Sequence, residues 1–294
     1  MEWLALLVAV LILVLGVLLI SAIPLVFRRH PQRNLGELNW GIECEDVSFT
    51  TSDGIHLYGW WFPFNASQKT IILLHGVAGS MDPDLKYVPE LHTAGFNVLM
   101  FDFRAHGRSA GRITTLGALE RKDVQAAVGY ALSRGSSRVG LLGFSMGGRA
   151  AILSASSIPR VNAIVCDSAP ARLSTAISKK LITRKNPAWL SHIAAFLSLA
   201  GASLLSGINL FRAEPLHQAN RLSGIPTLLI YGGKDPYITS SEIERMVSAA
   251  GEHAQIWIVP EAGHRDVEKY RQEEYKQMIK DFFHKNLQLL PEES

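Results

Sequence analysis

Cysteine is nearly absent. Of 294 residues only Cys44 and Cys166 carry a thiol, at no spacing that suits metal ligation, and the second lies in the apolar run AIVCDS. A disulfide framework is therefore not expected, nor is a metal site, and the usage suits a reducing compartment. An excess of charge is also missing: 29 basic against 26 acidic residues leave a net charge of +3, too small for the basic footprint of a nucleic-acid binder. No internal repeat is visible. The length permits one large α/β domain with a sizeable core.

The most informative absence is local. From Trp3 to Phe27 no side chain is charged. As a helix this run would reach about 38 Å at roughly 1.5 Å per residue, more than the roughly 30 Å hydrocarbon core of a bilayer. Only Glu2 precedes it as a charge, its apolar stretch exceeds a signal-peptide h-region, and no small-residue cleavage site is clear, so residues 3–27 read as an uncleaved transmembrane anchor. Arg28, Arg29 and Arg33 follow at once, and the positive-inside rule then puts the C-terminal portion in the cytoplasm. Residues 28–45, including Pro31 to Gly41, read as a linker, and 46–290 as the α/β domain.

Strand and helix signals alternate through that domain. Val47–Thr50 and Ile55–Trp61, joined through Ser52-Asp53-Gly54, read as a hairpin that opens an antiparallel edge. The buried-strand run Thr70–Leu74 ends in the glycine loop His75–Ser80. Helices are expected over Tyr87–Ala94, Leu116–Arg134, Ser241–Ala250 and Val267–Asn286, and strands over Asn97–Phe101, Val139–Phe144, Val161–Cys166, Pro226–Tyr231 and Gln255–Val259. This order implies a mostly parallel sheet with helices on both faces. It breaks between about 171 and 214, which reads as an inserted cap. There Asn186-Pro187 supplies a helix start, and no charge occurs from Asn186 to Phe211. Ser191, Ser198, Ser203 and Ser206, with His192, Gly201 and Gly207, interrupt that run, so two short lid helices are expected rather than a second span.

One stretch organises the rest. Gly143-Phe144-Ser145-Met146-Gly147, between the strand Val139–Phe144 and a helix beginning near Ala150, matches the G-x-S-x-G nucleophile elbow. A chain of this length shows that pentapeptide by chance about one time in ten, so its setting between strand and helix carries the argument. The partners of an elbow serine follow in the order acid, then histidine. Asp235, after the strand ending at Tyr231, and His264, after the strand ending near Val259, hold those places at strand ends, where open α/β sheets build sites. Asp235-Pro236 also suits a plain turn, and His264 is one of ten histidines. Asp167 and Asp266 are rival acids; Asp235 ranks first because its strand comes immediately before the histidine's, and Asp167 second. An oxyanion hole would be formed by the backbone amides of Met146, after the nucleophile, and Val77, in the loop after the third strand. His75 beside it reads as structural.

These residues resemble the α/β-hydrolase superfamily, and within it the membrane-anchored bacterial serine hydrolases related to the serine-aminopeptidase-like group. HGVAGS, FDFRAHGRSAG, GFSMGG, YGGKDPYI and EAGH are similar to that group's motifs and occur in the same order, so the likeness runs from about Val47 to the end. Val77, Ser80 and Ala105 depart from it, where many relatives carry HGNAGN and a glycine after the arginine of the fourth-strand loop. Asp102, Arg104, Gly107 and Ser109 of that loop read as scaffold. The resemblance implies the α/β-hydrolase fold and hydrolysis of an ester, thioester or amide through an acyl-serine, with no metal or organic cofactor. The cap carries Arg172, Lys179, Lys180, Arg184, Lys185 and Arg212 against Glu214 alone. A basic, apolar flap near a bilayer favours an acyl ester or thioester, lipid-derived in one version. A peptidase or amidase of the same fold is the alternative within the enzyme class, and a catalytically idle tethered binding module the alternative outside it.

Overall fold

The computed structural model describes residues 2–27, 41–77, 79–155 and 157–288. Arg28, Arg29, Arg33, most of the expected linker and Ala78 of the HGVAGS loop lie outside them. In chain order the strands are β1 (Glu45–Thr50), β2 (His56–Phe62), β3 (Lys69–Leu74), β4 (Asn97–Phe101), β5 (Arg138–Phe144), β6 (Val161–Asp167), β7 (Thr227–Gly232) and β8 (Ala254–Val259). The helices are α1 (Glu2–Val26), α2 (Val88–Thr93), α3 (Glu120–Ser133), α4 (Met146–Ala155), α5 (Leu173–Ile182), α6 (Ala188–Ser206), α7 (Pro215–Gln218), α8 (Ser240–Ala250), α9 (Val267–Tyr270) and α10 (Gln272–Asn286). The strands form one sheet in the order β1-β2-β4-β3-β5-β6-β7-β8. β1 and β2 pair antiparallel, β2 joins β4 antiparallel, and every later pairing is parallel. This is the mostly parallel sheet with an antiparallel N-terminal edge that the alternation of elements implies.

The two-residue period of each strand builds two cores. Ile72, Leu74, Leu99, Leu141, Ile164 and Leu229 point to one face, where they meet Val124, Ala127 and Val128 of α3, Ala150 and Ala151 of α4, and Met246 of α8. Ile71, Leu73, Val98, Leu142, Val165 and Ile230 point to the other, against Leu91 of α2 and Tyr275, Ile279, Phe282 and Phe283 of α10. The last four recur at i, i+4, i+7 and i+8, the stripe a helix needs to lie on a sheet. With both faces covered, the central strands read as continuous apolar runs rather than alternating ones.

Three helix expectations need correction. The helix expected from Leu116 begins at Glu120, because Leu116 has φ +53° and the Glu120 carboxylate collects the loop's donors: the amides of Thr115 and Gly117 and the hydroxyls of Thr114 and Thr115. The closing helix is broken at Arg271 into α9 and α10. The uncharged stretch of the cap forms one 19-residue helix, α6, not two short ones. Its serines do not interrupt it: Ser203 Oγ donates to Leu199 O and Ser206 Oγ to Ala202 O, each satisfied by the preceding turn. Asn186 caps no start either; its amide donates to Leu181 O at the end of α5.

α1 and α6 are both long and apolar enough to cross a membrane. The C-terminal end of α1 is joined to the domain. Ala22 and Val26 are buried beside Leu173, Leu199 and Leu210, and the Thr114 amide donates to Val26 O at 2.9 Å.

The β4 loop is the scaffold its residues suggest. Asp102 accepts the amides of Met81 and Arg108, Ser109 Oγ donates to Asp102 O, and Arg104 pairs with Asp53 and Asp123. Ala105 has φ +59°. A left-handed conformation costs an L-residue about 1–2 kcal/mol. Ala105→Gly is accordingly expected to raise stability by about 1 kcal/mol in thermal unfolding, less whatever glycine adds to the entropy of the unfolded chain. A lowered midpoint would contradict this account of the loop.

Candidate active site

Ser145 stands between β5 and α4 with φ +50°, a strained left-handed conformation for a residue with a side chain. The surroundings enforce it. The Ser145 amide donates to Asp167 O at 2.8 Å, and a Cβ on Gly147 would overlap Leu74 O, so α4 can start only where glycine lets it pass the end of β3. Ser145 lies at the N-terminus of α4, where unpaired amides and the helix dipole favour negative charge.

His264 bridges the other two. Its Nε2 lies 3.0 Å from Ser145 Oγ and its Nδ1 lies 2.7 Å from Asp235 Oδ2. A carboxylate can only accept, so Nδ1 carries the proton and Nε2 is left to take one from the serine. Asp235 Oδ1 accepts the Tyr237 amide at 2.8 Å. The Asp-Pro segment is therefore a turn as well as the histidine's partner, with one oxygen for each task. The Tyr237 ring packs edge-on against the His264 ring at 5.0 Å. The Asp235 side chain is 1% exposed and that of His264, which lines the cleft, 20%.

The rival acids serve elsewhere. Asp167 accepts the Ser168 and Tyr275 hydroxyls, both at 2.8 Å, and burial pushes its carboxyl above the usual carboxylate range, with Arg265 pulling the other way. Asp266 precedes α9, and its carboxylate would meet a Cβ on Gly263. His75 Nε2 accepts the Phe103 amide at 2.9 Å, so its Nδ1 donates to Gly76 O, and the ring holds the β3 loop to the β4 loop. Val77 and Met146, the expected oxyanion donors, line the same cleft as Ser145 and His264. That cleft, of about 240 Å³, is otherwise mostly apolar, walled by Leu116, Leu173 and Ile177 and by Pro24 and Leu25 of α1.

Three features are not foreseen in the sequence. Tyr237 lies within the YGGKDPYI motif but carries no signal of its own. Pro24 and Leu25 reach the site only through the fold. Arg149, 1% exposed, donates to Leu116 O, Pro170 O, Ala213 O and Glu214 Oε2, and Glu214 in turn accepts the Leu173 amide. An arginine alone in the small and apolar run MGGRAAILSA was the available signal, since a charge amid core residues needs a buried partner.

A doubly covered sheet with a serine at a strained strand-to-helix turn and a histidine and acid at later strand ends defines a hydrolase of the α/β class. Residues 71–275 match the model of the alpha/beta hydrolase family, and the chain belongs to that family. It is 30% identical over 233 residues to the uncharacterized protein YfhR of Escherichia coli O157:H7, covering 76% of this chain and 74% of that one. It is 26% identical over 235 residues to the uncharacterized protein YqkD of Bacillus subtilis, with 78% and 75% covered. Among solved structures, the Pyrococcus furiosus esterase Pf2001 aligns with a TM-score of 0.73 and 30% identity over 88% of this chain and 98% of its own. The matches are to the family at large; the serine-aminopeptidase-like resemblance remains a likeness of motifs.

Proposed function

We propose that the protein is a membrane-anchored serine hydrolase that cleaves a carboxylic ester or thioester through an acyl-serine intermediate. The observation that carries this reading is the hydrogen-bonded chain from Ser145 Oγ through the His264 ring to Asp235. Ser145 Oγ attacks the acyl carbonyl as its proton passes to His264 Nε2. The carbonyl electron pair moves onto oxygen, where the amides of Val77 and Met146 meet it. The bond to the leaving group breaks as His264 returns the proton to the departing alcohol or thiol. Water, deprotonated by the same nitrogen, then attacks the acyl-serine carbonyl; the bond from Ser145 Oγ to the acyl carbon breaks as His264 returns the proton to Oγ, and the acid leaves.

An ester rather than an amide is favoured by the esterase relative at 30% identity and by the apolar cleft. A bilayer location is supported by α1 and by the basic cap, in which Lys180, Arg184 and Lys185 are exposed. Each basic residue near an anionic membrane surface contributes about 1 kcal/mol. The catalytic domain lies on the cytoplasmic side in this reading.

Full-length protein in membranes is expected to take a fluorophosphonate label that Ser145→Ala abolishes. A panel of p-nitrophenyl esters, acyl thioesters and aminoacyl amides on the same preparation should favour the first two, with rates that vary with acyl length. Preferred turnover of the amides would replace the ester reading, and a parent protein that takes no label would end the serine-hydrolase one.

A further inference from the structure

α1 is part of the cleft wall as well as an apolar N-terminal segment. Pro24 and Leu25 line the cleft that holds Ser145 and His264, so the site is incomplete without the last turn of this helix. Most of the helix before that turn is exposed: Leu11 at 59% and Ile20 at 70%, for example. α1 packs on α6 so closely that a Cβ on Gly201 would overlap Leu18 O, a small-residue contact of the kind that joins helices in lipid.

α6 has two apolar faces. Ser191, Ala195, Ser198, Leu199 and Ala202 are buried. On the opposite side Trp189, Ile193, Phe196 and Leu204 form one stripe and are 67%, 49%, 59% and 62% exposed. A helix apolar all round belongs in a core or in lipid, and no other part of the described protein covers this one along the stripe. α1, packed on α6, also exposes large apolar side chains, Arg184 and Lys185 stand exposed in the turn before α6, and Lys180 lines the cleft. An apolar surface bordered by exposed basic residues fits the boundary of an anionic bilayer.

We propose that α1 and α6 are seated together in the bilayer and that the cleft takes its acyl chain from the lipid phase, with Leu25 and Pro24 as one wall of the acyl site. The substrate class is then a membrane-resident long-chain acyl ester. This rests on the serine-hydrolase reading of Ser145. The cleft, about 240 Å³, falls below the about 300–1,000 Å³ of typical small-molecule pockets. It accommodates the carbonyl end of a chain, and the rest of the tail stays in lipid against α1 and α6. A chain entering this way moves between two apolar media and exposes nothing to water.

The test uses the full chain in phosphatidylglycerol-containing vesicles, with p-nitrophenyl palmitate dissolved in the vesicles and p-nitrophenyl acetate offered from water. For the parent protein, palmitate turnover is expected to follow its mole fraction in the vesicle; dependence on bulk concentration alone would overturn the proposal. The double variant Ile193→Lys/Phe196→Lys should keep acetate hydrolysis and fluorophosphonate labelling within about twofold and lose palmitate turnover by about tenfold or more, as expected when large apolar side chains leave lipid. Leu25→Trp, in the wall itself, should shift the preferred acyl length towards shorter esters. Unchanged palmitate turnover in the double variant sinks the proposal, and so does conversion of a dimer to a monomer, which would make the stripe a contact between copies. Retained acetate hydrolysis and labelling in those cases leaves the serine-hydrolase reading standing; a parent protein that neither takes label nor cleaves either ester removes both.

Discussion

Ser145→Ala and His264→Ala are each expected to lower kcat for ester hydrolysis by about 10⁶-fold, and Asp235→Asn by about 10⁴-fold, with the double and triple variants little worse than the worst single one. The non-additivity is the point of the measurement. Ser145 Oγ is 3.0 Å from a nitrogen whose ring is held by a carboxylate 2.7 Å from its other nitrogen, so each group acts only through its neighbour. Asparagine at 235 would still accept the Tyr237 amide and keep the turn, but it could present an amide N–H to Nδ1 and favour the wrong tautomer. Steady-state kinetics on a soluble ester, with thermal unfolding as a control for folding, distinguish this from a set of independent contacts, for which the losses would multiply.

The second large effect is on stability. Glu214→Ala is expected to cost about 3–5 kcal/mol, because it strands the buried Arg149 guanidinium, whereas Arg149→Met/Glu214→Leu should recover most of the loss. The Glu214 carboxyl is itself pushed above its usual range by burial, and Arg149 draws it back. Three carbonyls remain on Arg149 after the single substitution, which places the loss towards the lower end. Against a total stability of about 5–15 kcal/mol this is a change that thermal unfolding reads directly. If the double variant is as damaged as the single, Glu214 matters through the Leu173 amide rather than through the ion pair.

The sheet was legible in the sequence because strands covered on both faces leave unbroken apolar runs, and because each central strand ends in glycine or a small polar loop. The order of Ser145, Asp235 and His264 along the chain was enough to select three positions that stand within hydrogen-bond reach of one another. Choosing Asp235 over Asp167 was a matter of strand succession; the reason Asp167 is unavailable, its bond to Tyr275, depends on α10 folding back across the sheet. The continuity of α6 is not legible in the sequence for a local reason, since serine hydroxyls that bond to the preceding turn are indistinguishable in sequence from serines that end a helix. Nothing local could link Leu25 to Ser145 or Arg149 to Glu214, because those meetings are set by the packing of whole helices.

The bond from the Thr114 amide to Val26 O, together with the burial of Ala22 and Val26, makes the first helix a stiff post bolted to the hydrolase body. A body on a slack leash would tumble and sample many heights above a surface. This one would keep a single bearing, with Ser145 at a constant depth and its approach path at a constant tilt. With the post in a bilayer, reactivity along an acyl ester would be set by how far its carbonyl lies from the headgroups, and two esters of equal chemistry but different depth would be cleaved at different rates.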